Sequence, residues 1–152
     1  MNIRPKIALY EPDIPQNTAS IIRTCSCLGA NLDVIEPCGF LFTDKRFKRV
    51  VMDYMDEDKI NFYKNFQTFV ESKSKKRIIL ITTKAKKSYT DFIFRSDDII
   101  LFGRETAGVP EEVHNAVNIK LKIPMVENKR SLNLASSVAI ILSEQIRQIK
   151  KL

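Results

Sequence analysis

Leu101-Phe102-Gly103-Arg104-Glu105-Thr106-Ala107-Gly108-Val109-Pro110 (LFGRETAGVP, residues 101–110) is an apolar run that ends in a polar loop held between two of the chain's four glycines. A similar unit follows at residues 122–152, KIPMVENKRSLNLASSVAIILSEQIRQIKKL: a strand end, a polar loop and a long amphipathic helix. Glycine permits positive φ and close backbone approach to a ligand. Two polar loops at strand ends point to one site, although two ordinary turns explain the glycines equally well on spacing alone.

Upstream, Arg77 to Thr82 contains Ile78-Ile79-Leu80-Ile81, and Ile99 to Phe102 is a second continuous apolar run. Such runs belong to strands buried on both faces of a parallel sheet. Thr82-Thr83-Lys84 leaves the carboxyl end of the first, where ligands of open α/β sheets bind. At the amino end, Lys6 to Tyr10 reads as a strand and Asn31 to Ile35 as another. Ile21, Ile22, Cys25 and Leu28 recur at helical spacing between them. This predicts a helix over Thr18 to Leu28, with Asn17 or Thr18 as its cap and Gly29 at its end. Strand, helix, strand is the signature of an α/β fold with a parallel sheet.

The remaining elements fit that class. Residues 43–49 predict a short basic helix, Lys59 to Tyr63 a strand, and Phe66, Phe69 and Val70 a short helix. Ser72 to Lys76 reads as a basic turn. Pro110-Glu111-Glu112 opens a helix with proline first and acids in its first turn. Asn118 to Ile123 alternates as a strand. From Ser131 onward a closing helix carries Ala135, Val138, Ala139, Leu142, Ile146 and Ile149 on one face. The pattern predicts one domain over residues 1–152, and pattern alone points to an unknotted doubly wound sheet.

Lys+Arg outnumber Asp+Glu by 25 to 18, a net charge of +7, which favours a polyanionic partner. Thr43-Asp44-Lys45-Arg46-Phe47-Lys48-Arg49 concentrates four cations around one apolar anchor. It reads either as a solvated face screened by the acidic run Asp53 to Asp58 or as a phosphate-contacting surface. Cys25, Cys27 and Cys38 are an odd number without paired spacing. With neither a signal peptide nor a run of 18 apolar residues, they read as reduced thiols of a cytosolic protein, with no membrane partner. His114 is the one histidine; it reads as a solvated surface residue, and no metal is expected. No G-x-G-x-x-G follows a strand and no G-x-x-x-x-G-K-[ST] occurs, so dehydrogenase and P-loop chemistry are disfavoured. What remains is three loops, after Ile81, Phe102 and Ile123, suited to an adenosine compound held through main-chain groups.

Five stretches carry a resemblance: IALYEPDIPQNTASIIR (7–23), IEPCGF (35–40), DKRFKRVVMDY (44–54), LFGRETAGVP (101–110) and IPMVENKRSLNLASSVAIILSE (123–144). Together, and in this order, they resemble the SPOUT family of RNA methyltransferases. The resemblance implies a parallel-sheet α/β SPOUT fold with a carboxyl-terminal trefoil knot, in a homodimer whose site is completed across the subunit interface. It implies S-adenosyl-L-methionine as cofactor. The implied substrate is a tRNA ribose, methylated on its 2′-oxygen at wobble nucleotide 34 of leucine tRNAs and engaged through the anticodon arm.

Carried over position by position, Ile81, Gly103, Ile123 and Ser131 match cofactor-contacting positions, with Glu105, Pro124, Met125, Leu132 and Asn133 in the same motifs. Asn17 and Arg23 match the polar pair of the first motif, and Arg23 matches the arginine given a catalytic role. A guanidinium is a poor general base, so Arg23 is expected to orient the 2′-oxygen and adjacent phosphate or to take the proton in concert with a phosphate. Lys45, Arg46, Lys48, Arg49, Lys84 and Lys86 are candidate RNA-backbone contacts. The chain departs from the family at Ala19-Ser20 (usually Gly-Asn), Ala135-Ser136 (Ser-Asn), Ser143 (Tyr) and Met55 (His). Two other readings stand beside this one: an RNA-binding SPOUT domain without activity, and 2′-O-methylation of another RNA position.

Overall fold

The computed structural model describes residues 4–51, 54 and 59–150. Six parallel strands form the sheet: β1 (Lys6–Tyr10), β2 (Asn31–Ile35), β3 (Ile60–Tyr63), β4 (Ile78–Ile81), β5 (Ile99–Phe102) and β6 (Ile119–Leu121). Five α-helices lie among them: α1 (Pro15–Leu28), α2 (Lys45–Val51), α3 (Phe66–Ser72), α4 (Glu111–Ala116) and α5 (Leu134–Lys150). The strand order is β3-β2-β1-β5-β4-β6. A doubly wound sheet would place β4 beside β1. Here β5 takes that place, with Lys6 opposite Ile99, and β4 lies between β5 and β6. The α/β class and the parallel sheet agree with expectation, and the doubly wound order does not. Periodicity reports which faces are buried, not which strands are neighbours.

Successive strand residues point to opposite faces, so the sheet builds two cores. Ile7, Leu9, Val34, Ile100 and Phe102 meet α1, α2 and α5 through Ile21, Ile22, Phe47, Val138 and Ile141. Ala8, Tyr10, Ile35, Leu80 and Leu101 meet α3 and α4 through Phe69, Val113 and Val117. On the α5 side, Gln145 Nε2 donates to the Arg95 carbonyl at 3.1 Å and Gln148 Nε2 to the Phe92 carbonyl at 3.0 Å. The chain before β5 is thereby fastened to the last helix.

Three local expectations are corrected. Helix α1 begins at Pro15, with Ile14 as its cap and no side-chain capping bond. Proline needs no amide partner in a first turn and its φ suits the helix, so neither Asn17 nor Thr18 is the cap. Helix α5 begins at Leu134, because Asn133 takes the cap position and accepts from the Ser136 amide at 3.2 Å. Pro110 is the cap of α4 and not its first residue. The basic turn over residues 72–76 forms as read, with one of its lysines drawn inward. Lys73 is 9% exposed, with Nζ 3.0 Å from the fully buried Asp33 and donating to the Tyr63 hydroxyl at 3.0 Å. The acidic run expected to screen α2 lies outside the described residues at positions 53 and 56–58.

Candidate cofactor pocket

The loops after β4 and β5, together with the chain from β6 to α5, enclose a cavity of about 590 Å³ at the carboxyl end of the sheet. That volume lies in the range of small-molecule and cofactor sites. Ile81, Thr82, Thr83 and Lys84 form the first wall. The loop is pinned where the Thr82 amide donates to the Leu121 carbonyl at 2.9 Å.

Residues 103–109 form the second wall as a tight hairpin. The Arg104 amide donates to the Gly108 carbonyl at 3.0 Å and the Gly108 amide returns a bond to Arg104 at 2.9 Å. Gly108 holds φ at +63°, and a β-carbon on Gly103 would lie 2.7 Å from Gly108 Cα. Both glycines are therefore required by the backbone. Arg104 Nη2 meets Glu11 Oε1 at 2.6 Å, and the guanidinium carbon lies over the Tyr10 ring, 5.5 Å from its centre.

The hairpin is also tied to the loop that precedes α1. The Asp13 amide donates to Glu105 Oε2 at 2.9 Å, and Thr106 Oγ1 donates to Asp13 Oδ2 at 2.5 Å. The two carboxyls perturb each other in opposite directions. A hydrogen bond with Glu105 lowers Asp13 below the usual aspartate range. Burial, followed by the hydrogen bond with Asp13, raises Glu105 above the usual glutamate range.

Ile123, Met125 and Ser131 to Leu134 form the third wall, and Ile14 and Asn17 close the rim from α1. Asn133 Nδ2 donates to Asn17 Oδ1 at 3.0 Å. Its side chain thus caps α5 at one end and holds α1 with the other.

The fold brings together Ile81, Gly103, Glu105, Ile123, Met125, Ser131, Leu132 and Asn133, eight of the nine positions carried over from the cofactor motifs; Pro124 does not line the cavity. Asn17 and Lys84 join them on the same cavity wall. Arg23 does not line it; this exposed residue of α1 holds its guanidinium 5.0 Å from the centre of the Tyr54 ring. Lys45, Arg46, Lys48 and Arg49 are exposed on α2, and Lys86 is exposed beyond β4; none lines the cavity.

Among the departures, Ala19 is buried, Ser20 and Ser143 are exposed, Ser136 serves the α5 cap, and Met55 lies outside the described residues. Sequence reasoning missed Asp13 and Thr106, whose pairing needs the hairpin and the α1 loop to meet. It also misplaced His114. That residue stands on the cavity wall with its Nε2 buried, because α4 starts directly after the hairpin and turns its first winding back toward it. Among the described residues no group of three His, Cys, Asp or Glu forms a metal-binding set, and no helix is long and apolar enough to cross a membrane.

The swapped strand order and the cavity it closes define an α/β domain of the SPOUT methyltransferase class. The sequence pattern of the SpoU rRNA Methylase family matches residues 4–143, and the chain belongs to that family. It is 45% identical over 145 residues to the tRNA (cytidine(34)-2′-O)-methyltransferase of Beijerinckia indica, covering 94% of this chain and 91% of that one. A solved structure described as giving insight into 2-OH methylation of C/U34 on tRNA is 35% identical, with a TM-score of 0.93 and full coverage of both chains. At the level of fold, the chain is also similar to the SpoU methyltransferase AviRb of Streptomyces viridochromogenes in complex with AdoMet. That likeness is 24% identical with a TM-score of 0.83, over 95% of this chain and 60% of the other.

Proposed function

We propose that this protein is a tRNA methyltransferase that transfers a methyl group from S-adenosyl-L-methionine to the ribose 2′-oxygen of nucleotide 34. One observation carries the reading: eight cofactor-matched positions, scattered from residue 81 to residue 133, line one cavity of about 590 Å³. The residues present suit the cofactor. Ile81, Ile123 and Leu132 offer apolar surface to an adenine. The backbone around Gly103, where no β-carbon fits, permits the close approach a ribose needs.

When bound, S-adenosylmethionine supplies a methyl group on an electron-poor sulfonium. The chain's own contribution is positional. Asn17 and Asn133 fix the rim, and the loops hold the reacting groups in line, an effect worth as much as proton removal. Arg23 orients the 2′-oxygen and its neighbouring phosphate. It stands off the cavity of its own chain, which supports a site completed by a second copy. A homodimer is therefore part of this proposal. So is a trefoil knot in the carboxyl-terminal third, supported by the placement of β4 between β5 and β6. The exposed cations of α2, with Lys84 and Lys86, receive the anticodon arm of a leucine tRNA in the cytoplasm.

The test is transfer of labelled methyl groups to tRNA from cells lacking the gene, followed by mapping of the modified ribose. Label at nucleotide 34 of leucine tRNAs is the expected result. Label at another ribose overturns the position, and tRNA binding without any transfer points to the inactive RNA-binding reading.

A further inference from the structure

The carboxyls of Asp13 and Glu105 join two walls that are 92 positions apart in the sequence. Two of their four oxygens have a donor. Glu105 Oε2 accepts the Asp13 amide, and Asp13 Oδ2 accepts the Thr106 hydroxyl. Asp13 Oδ1 and Glu105 Oε1 are both buried and receive no donor. Two ionised carboxylates held together through the Asp13 amide would repel each other and leave both buried oxygens unsatisfied, each at a cost comparable to a lost hydrogen bond. A single proton held between the acids removes both penalties.

We propose that Asp13 and Glu105 share one proton and act as a positioning latch, closing the 103–108 hairpin over the cofactor cavity. The proposal rests on the cofactor reading above. Charged and titratable groups face the latch from the neighbouring elements. Arg104 is occupied by Glu11 on the β1 side. Cys38 and Glu36 approach from the loop after β2, and Cys38 is pushed up to about 12 by burial and by Glu36, Glu11 and Glu105, so its thiol stays neutral. Thr106 donates from the hairpin itself. Lys84 and His114 stand elsewhere on the cavity wall.

The sign follows from the two shifts. Glu105 is raised, so the latch is made at pH below its folded value and is lost as pH climbs through it. Asp13 is lowered, so its ionised half is lost only as pH falls through that lower value. The singly protonated latch spans the interval between them. If the closed hairpin binds cofactor and the open one does not, affinity falls by up to about tenfold per pH unit above the Glu105 transition. A bare carboxylate would do the opposite, attracting the positively charged sulfonium more strongly as pH rises.

The test is calorimetric titration of the full-length protein with S-adenosylmethionine and with S-adenosylhomocysteine across acidic to alkaline pH. Wild type, Glu105→Gln and Asp13→Asn are compared, with circular dichroism confirming that each is folded. Titration of the ligand's own amino group is common to all three and cancels in the comparison. Wild type is expected to lose affinity as pH rises. Each amide variant carries a permanent N–H between the two side chains and is expected to lose that slope. A wild-type affinity that is flat or rises with pH overturns the latch, as does an unchanged slope in both variants. Absence of binding at every pH in wild type overturns the cofactor reading itself.

Discussion

Asn133 bonds Asn17 across 3.0 Å although 116 residues separate them, and the same asparagine caps α5 through the Ser136 amide. One side chain therefore sets the start of the last helix and its distance from the first. Asn133→Ala removes both bonds. The expected loss is about 1 kcal/mol for the cap, together with weaker cofactor binding. Urea unfolding and calorimetry on the same preparation measure the two effects.

Gly103→Ala tests the second wall. Its β-carbon would meet Gly108 Cα at 2.7 Å, backbone that cannot swing aside as a side chain would. The hairpin must open, with a stability loss of about 1–3 kcal/mol. S-adenosylmethionine binding is expected to fall below detection at ligand concentrations that saturate wild type. Retention of wild-type affinity would show that the wall tolerates displacement.

Away from the pocket, fully buried Asp98 receives Arg77 Nε at 2.7 Å, Arg77 Nη2 at 2.6 Å and the Arg95 amide at 2.7 Å. Asp98→Ala leaves the largely covered guanidinium without its counter-charge. A cost of about 3 kcal/mol is expected, seen as a lower urea midpoint with an unchanged slope.

Arg23→Ala separates chemistry from cofactor binding. Methyl transfer is expected to fall by roughly 10²-fold or more while S-adenosylmethionine affinity stays at the wild-type value. Arg23→Lys should not restore it, because a lysine cannot reproduce the planar fork or its packing over Tyr54. Near wild-type transfer by Arg23→Ala would remove the role assigned to this residue. By contrast, alanine at Lys45, Arg46, Lys48 or Arg49 should weaken tRNA binding and lower its dependence on salt by about one phosphate contact each.

The thiols give a chemical check on burial. Burial pushes Cys25 up to about 12 and, with nearby carboxylates, Cys38 to about 12, whereas Cys27 is exposed. Thiolate is the reactive form. Brief alkylation at neutral pH should therefore label Cys27 first, and peptide mapping should find Cys25 labelled only after unfolding.

The sequence revealed faces better than neighbours. The continuous apolar runs at 78–81 and 99–102 predicted buried parallel strands, and both form. Nothing in those runs says that β5 lies beside β1, since strand order is decided by long-range pairing. The three loops were legible because each follows an apolar strand, and eight of the nine positions named by the motif resemblance share a cavity. Asp13 was not legible, because its carboxyl matters only beside a glutamate on a hairpin 92 positions away. His114 was misread for a related reason: its helix has only six residues, too few for a periodic pattern to show which side is covered. Lys73 was legible only as part of a basic turn, and its buried partner Asp33 comes from a strand some forty positions earlier.

Placement of β4 between β5 and β6 bears on the order of synthesis and assembly. The first wall of the pocket follows residue 81, yet its neighbour in the sheet, β6, and the third wall arrive only with residues 119–134. A chain still being made has no complete pocket until the segment through Asn133 is available to fold. Because pairing between distant segments is intrinsically slow, the ligand-competent state belongs to the end of folding. Cofactor added during refolding should stabilise the finished protein by mass action without accelerating the early steps.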